Sequence, residues 1–313
     1  MLPYIGRRLL ATIPVMAVVA VFVFLLLRLT AGDPAAIIAG DNATARDVAQ
    51  IREKLGLDQP IVQQFIIWIG KTLRGDLGES FFFKKTVTEL ILGRVEPTLA
   101  LATCTLLLAV TMAVPLGVTA AYKRGSWIDR FVMGLSVLGF SVPVFVIGYA
   151  LMYLFAIHFA WLPVQGYQRI GDGFGGFIQR LVLPSFTLAI IYVALIARIT
   201  RASVLEVLGA DHVRTARAKG LADLPVLLRH VLRNAAVPIV TVIGLGVALL
   251  IGGVVVTESV FAIPGLGRLT VDAVLARDYP TVQAVVLLFS GVYVLINLLV
   301  DLTYTFLDPR IRY

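Results

Sequence analysis

One cysteine, Cys104, stands in the 313 residues, and only three histidines, His158, His212 and His230. A single thiol excludes a disulfide framework and a thiolate metal centre. The histidines are far apart along the chain and no H-E-x-x-H occurs, so no metal ligand set is assembled from them. Charge is also scarce. Charged residues make up 15% and hydrophobic residues 59% of the chain, whereas a soluble domain has roughly 25% charged and 45–50% apolar. No phosphate-binding loop is present: Gly70-Lys71-Thr72 ends like one, but Phe65 stands where its first glycine belongs. Gly139-Phe140-Ser141-Val142-Pro143 fails as a nucleophile elbow, because Pro143 replaces the second glycine. Catalytic, cofactor-binding and metal-ligating residues are therefore each expected to be none.

What the chain has instead is long apolar runs without an acidic or basic side chain, at 9–27, 97–122, 131–157, 181–197, 235–257 and 280–300. A hydrocarbon layer about 30 Å thick takes roughly 17–25 residues of helix. The runs are continuous and do not alternate, which favours helices over barrel strands. The expectation is an all-α, polytopic membrane protein with six transmembrane helices and one membrane domain, 1–313. The first run is longer than the roughly 7–15 residues of a signal-peptide core and no A-x-A site follows it, so it reads as a span. Ion-coupled carriers place ionisable groups at mid-membrane depth. None lies well inside these runs, which disfavours a stand-alone secondary transporter.

Lys and Arg set the orientation. Arg7, Arg8, Lys123, Arg124, Arg130, seven basic residues between Arg198 and Arg233, Arg310 and Arg312 flank one set of ends; the opposite short loops hold only Arg169, Arg180, Arg268 and Arg277. The positive-inside rule then puts both termini and the loop 198–234 in the cytoplasm, with 28–96 as a long outer loop. The net charge of +8 is accounted for by topology and by contact with membrane lipids, and calls for no nucleic acid.

Local signals are sparse but specific. Thr44 and Asp47 resemble a capping box, and Gln59-Pro60 a helix start. Ile61, Phe65, Trp68, Ile69 and Thr72 then share one face, to lie on the membrane or pack on neighbouring helices. Small residues at four-residue spacing, Ala109, Ala113, Gly117 and Ala121, and again Gly244, Ala248 and Gly252, predict close helix seams. Pro115, Pro143 and Pro184 mark places for kinks. Ser141, Thr241 and Asn297 are polar groups inside spans, candidates for lining a path or for bonding between helices.

The loop 198–234 carries the strongest signal. Asp211 is placed to cap a helix from His212 to Lys219, ended by Gly220, with Arg214, Arg217 and Lys219 outward and Val213 and Ala216 inward. Asp223 starts a second helix with Leu224, Leu227, Leu228, Val231 and Leu232 as its apolar stripe. Such a folded basic knob, tethered at both ends to a bilayer, suits docking of a soluble partner; an interfacial helix on anionic lipid is the other reading.

RTARAKG (214–220) followed by Leu221, then LLRHVLRNAAVP (227–238), resembles the cytoplasmic loop of ABC-importer permeases of the dipeptide and oligopeptide family. The superfamily pattern E-A-A-x-x-x-G puts its glycine on Gly220. Its first three positions read Arg214, Thr215 and Ala216, and the I-x-L-P ending is replaced by His230, Val231, Leu232 and Arg233. The likeness extends along the chain through Gly32-Asp33-Pro34, Leu55 to Pro60, Gly75 to Ser80, ARITRASVLEVLG (197–209), TESVFAIPGLGRL (257–269), Arg277-Asp278-Tyr279-Pro280 and the closing Asp308-Pro309-Arg310-Ile311-Arg312-Tyr313. The resemblance implies the type I importer (MetI-like) permease fold in the bacterial inner membrane. It implies a second homologous permease, two cytoplasmic ABC ATPase subunits that use ATP and Mg, and an extracytoplasmic substrate-binding protein. Arg214, Thr215, Ala216, Arg217, Ala218, Lys219, Gly220 and Leu221 would be the coupling helix. No cofactor would bind this chain itself. The implied cargo is a dipeptide or oligopeptide, with glutathione or a nickel complex as alternatives in the same subfamily.

Overall fold

The computed structural model describes residues 2–29, 35–36, 44–54, 56–80 and 82–307. The motif Gly32-Asp33-Pro34, Leu55 of the Leu55 to Pro60 motif, and the closing 308–313 segment with Arg310 lie outside the described residues. The order is α1 (Leu2–Leu29), α2 (Ala45–Lys54), α3 (Ile61–Leu73), a two-residue hairpin β1 (Glu79–Ser80) and β2 (Lys85–Thr86), α4 (Val87–Tyr122), α5 (Trp127–Ser141), α6 (Val144–Leu151) running on as a π-helix (Met152–His158), and α7 (Phe174–Leu208). Then follow α8 (Asp211–Ala218), a helical turn α9 (Asp223–Pro225) leading into a second π-helix (Val226–Val231), α10 (Leu232–Val260), α11 (Leu266–Leu275) and α12 (Tyr279–Leu307). The strands pair antiparallel, Glu79 opposite Thr86. The fold is all-α, as the continuous apolar runs require.

By length and composition, Val87–Tyr122, Phe174–Leu208, Asp223–Val260 and Tyr279–Thr303 can each cross a membrane. The first expected span lies in α1, whose apolar part Leu10–Leu26 is shorter. The third, 131–157, is not one straight helix. α5 and α6 meet at 105°, because Val142 ahead of Pro143 is forced to extended backbone, φ −99° and ψ 125°. Pro115 and Pro184 lie inside unbroken helices, so of the three prolines only Pro143 breaks its span. The second span also starts earlier than expected: Pro97 is interior to α4, which begins at Val87.

The chain divides into two compact units. The first comprises 1–96 and 265–295. Its core joins Val87, Leu90 and Ile91 of α4 to Leu266 and Leu269 of α11 and Ala284 and Val285 of α12. The capping box forms: Thr44 N–H donates to Asp47 Oδ2 at 2.9 Å and Asp47 N–H to Thr44 Oγ1 at 3.3 Å. The Thr44 hydroxyl, which donates to Asp47 Oδ2 at 2.7 Å, and the Thr44 N–H hold the Asp47 carboxyl below the usual carboxylate range. Pro60 is the residue before α3, not its first. Phe65 and Trp68 pack on Phe24 of α1 at ring separations of 5.1 and 5.5 Å, so this face of α3 is a packing face. Ile61, expected on it, is exposed.

The second unit comprises 97–264 and 296–313. α7 is its axis, with Leu181, Leu188, Tyr192 and Ile196 buried in the core it forms with α10, α5 and α6. The α4 stripe is a seam: Ala109, Ala113 and Ala121 are buried. A Cβ on Gly117 would come within 2.6 Å of the Ala197 carbonyl oxygen and 2.7 Å of Thr200 Cβ. The α10 stripe is only partly so. Gly244 meets Val300 and Ala248 is buried, but Gly252 faces open space, while Gly253 comes close to Leu188. The helical phase of α10 follows its contact with α7, not the four-residue spacing.

Candidate functional site

α8 is a two-turn helix whose Val213 and Ala216 are buried, while Arg214, Thr215, Arg217, Ala218, Lys219, Gly220 and Leu221 are exposed. Those two anchors join a small core with Ala121, Val204, Val226, Val231, Ala235 and Ile239. The helix is thereby fixed to α4, α7 and α10 while its basic face stays in solvent. Gly220 ends it at φ +81°. Gly220 N–H donates to Arg217 O at 2.9 Å and Leu221 N–H to Ala216 O at 3.4 Å, the paired bonds of a Schellman motif. Asp211 is the first helical residue and makes no cap; Ala210 precedes the helix. Its carboxylate instead stands 3.6 Å from Arg214, and Asp223 stands 3.6 Å from Arg217. Both pairs are exposed and each contributes little.

The segment after α8 also departs from expectation. Of the expected stripe, Val231 is buried and Leu227 and Leu232 are partly buried against the same core, but Leu224 and Leu228 are exposed and Val226, not expected, is buried. Five-residue spacing matches the π-winding of 226–231, whereas the predicted stripe assumed 3.6 residues per turn.

Asp129 of α5 and Arg201 of α7 form a bidentate pair, with Arg201 Nη2 donating to Asp129 Oδ2 at 2.8 Å and Nε to Oδ1. Gly125 N–H donates to the same carboxylate at 2.9 Å, and Ser126 caps α5 through Asp129 N–H. Asp129 is buried. Glu258 of α10, one residue past the expected fifth span, is buried as well and accepts from Thr98 Oγ1 at 2.6 Å. The pattern of apolar runs gave no sign of either contact, since each carboxylate sits just outside a run.

Next to Arg201, a recess of about 350 Å³ is lined by Ser136, Val137, Phe140, Ser141 and Arg198. Of the three polar candidates only Ser141 borders it. Ser141 and Thr241 hydroxyls donate to carbonyls in their own helices, Val137 O at 2.9 Å and Val237 O at 2.7 Å, so neither makes the bond between helices that was one expectation. Asn297 is exposed on α12. Among the described residues no cluster of three His, Cys, Asp or Glu could hold a metal.

Residues 113–313 match the family model of the binding-protein-dependent transport system inner membrane component, and residues 1–102 match the N-terminal model of the same system's membrane component. The chain belongs to this family. It is a permease of a binding-protein-dependent ABC importer, a multi-pass inner-membrane subunit that is not itself catalytic. A relative from Sinorhizobium fredii, bearing the name probable peptide ABC transporter permease protein, is 56% identical over 99% of both chains. The glutathione transport system permease protein of Salmonella typhimurium is 46% identical over the full length of both. A solved structure of the MetNI methionine ABC transporter matches 70% of this permease and 96% of its own chain, with TM-score 0.58 and 18% identity. That likeness shows a shared permease fold.

Proposed function

We propose that this permease forms half of the path of an importer for dipeptides or oligopeptides, and that α8 with Lys219, Gly220 and Leu221 docks on a cytoplasmic ATPase. One observation carries the docking reading. α8 has a rigid apolar anchor on one side and an exposed basic face on the other, so a push on the face is transmitted to α4, α7 and α10. The other half of the path is a second, homologous permease. Two ATPases use ATP and Mg, and a binding protein delivers cargo from outside; this chain binds no cofactor. The basic flanks and both termini lie in the cytoplasm. ATP-driven closure of the ATPase pair moves the docked helices as rigid bodies and switches access to the path. The names of the relatives support a peptide cargo, and glutathione, itself a short peptide, is the second reading; a nickel complex is the remaining subfamily alternative.

The test is a mild-detergent pull-down of tagged chain from its native membrane with mass spectrometry of what comes with it. A second permease and P-loop ATPases are expected. Solute movement by the reconstituted chain alone would overturn the reading.

A further inference from the structure

Arg198 is the first charged residue after the apolar run 181–197, and three residues ahead of the paired Arg201. At 1.5 Å per residue its Cα lies about 4.5 Å further along α7 toward the apolar run. A long side chain on a helix leans toward the helix N-terminus, here deeper still. Arg198 does so: its guanidinium lies over the Phe140 ring, 5.6 Å from the centroid. Arg201 beside it has Asp129; Arg198 has no carboxylate partner among the described residues.

A guanidinium held over an aromatic ring by cation–π attraction still has N–H groups for donation. The other walls of the recess offer no further donor. Ser136 and Ser141 spend their hydroxyl protons on Val132 O at 2.8 Å and Val137 O at 2.9 Å. Val137 is 65% and Phe140 48% exposed, and the same helix exposes Phe131 and Leu138. The recess thus presents one unpaired cation at the polar end of a wide apolar surface on a membrane helix. Nothing in it accepts an ammonium group by charge, so a zwitterionic peptide is poorly matched, whereas a phosphodiester carried on hydrocarbon is well matched.

We propose that this recess is a binding site for an anionic phospholipid. Arg198 donates to the phosphate oxygens, and Val137 and Phe140 hold the glycerol and the first acyl carbons. About 350 Å³ is the volume of roughly ten waters, enough for a headgroup. The site rests on the chain being a membrane permease and is independent of the cargo.

The test uses the whole importer complex in mild detergent, supplied with equal amounts of phosphatidylglycerol and phosphatidylcholine, with retained lipid counted by native mass spectrometry. Wild type is expected to retain phosphatidylglycerol preferentially. Arg198→Gln is expected to reduce that retention about tenfold, the loss of one charge-assisted contact, and Arg198→Lys to preserve most of it. Val137→Trp fills the recess with Arg198 in place and is expected to give the same reduction as Arg198→Gln, so the proposal stays testable if Arg198→Gln does not assemble. Equal retention of both lipids by wild type, unchanged retention in Arg198→Gln, or a reduction seen only where the second permease is also lost would each overturn it.

Discussion

Ser80 donates its hydroxyl to the buried carboxylate of Asp278, 2.5 Å away and separated by 198 positions in the chain. Thr281 donates to the same oxygen at 2.7 Å, and Phe83 N–H donates to Ser80 Oγ. Two of the motifs in the resemblance, Gly75 to Ser80 and Arg277 to Pro280, are thus one structural joint. It fastens the hairpin to the start of α12. Ser80→Ala leaves Asp278, whose Oδ1 already has no partner, with a single donor. The expected cost is about 1–3 kcal/mol of stability in the first unit, read as faster limited proteolysis within 56–80 while α7 stays protected. Unchanged proteolysis would mean the joint carries no load.

The Asp129–Arg201 pair holds α5 to α7. Arg201→Gln strands a buried carboxylate with only the Gly125 N–H as a donor. Because Arg201 is 23% exposed, water screens part of the loss, and about 1–3 kcal/mol is expected where a fully buried pair would lose more. The double variant Asp129→Asn with Arg201→Gln should melt higher than Arg201→Gln alone in detergent. A double variant no better than the single would show that the pair does not act as a unit.

Gly117 and Gly252 both sit in small-residue stripes, yet they should behave oppositely. A single methyl on Gly117 collides with the Ala197 carbonyl and Thr200, whereas Gly252 has nothing within 4 Å. Gly117→Ala is expected to lower the amount of folded protein in the membrane, and Gly252→Ala to leave it unchanged. Equal accumulation of the two variants would contradict the seam between α4 and α7.

At Gly220 the obstacle is backbone, not space: no atom lies within 4 Å of where a methyl group would stand, but φ is +81°. A β-branched residue there costs about 1–2 kcal/mol, confined to the end of α8. Gly220→Val should therefore abolish uptake with the protein still present in the membrane, and Gly220→Asn, which tolerates this conformation, should retain a substantial part. Retained uptake in Gly220→Val would sink the docking role of α8.

Charge reversal at Arg214 and Arg217 removes the outward face of α8 without touching Val213 or Ala216. Co-purification of the ATPase is expected to fall several-fold. An unchanged yield, with weaker association to anionic vesicles, would assign the face to lipid.

Much of this permease is legible in one dimension because bilayers impose a one-dimensional rule. A helix must be apolar for about 20 residues to cross, so composition along the chain gives the helical class, most of the spans and the basic loop between them. The C-terminal end and the buried side of α8 are readable for the same kind of local reason: Gly220 can take a positive φ cheaply, and Val213 and Ala216 fall three apart, whereas the cap expected from Asp211 does not form. Where the rule is not local, sequence and structure part. The π-winding of 226–231 buries Val226 with Val231 and leaves Leu224 and Leu228 exposed, and Gly252 turns away from the seam, because helical phase is set by what the neighbouring helix offers.

Sequence by itself therefore determined that this is a helical, multi-pass membrane protein with a folded basic loop, since hydrophobic length, charge bias and turn chemistry act over a few residues. Only the tertiary structure decided that Ser80 meets Asp278, that Asp129 takes Arg201 and leaves Arg198 unpaired over Phe140, and that Thr98 reaches Glu258. Each of those contacts joins positions 58 to 198 residues apart, and a buried polar group takes whichever partner packing brings within about 3 Å, which no local pattern encodes.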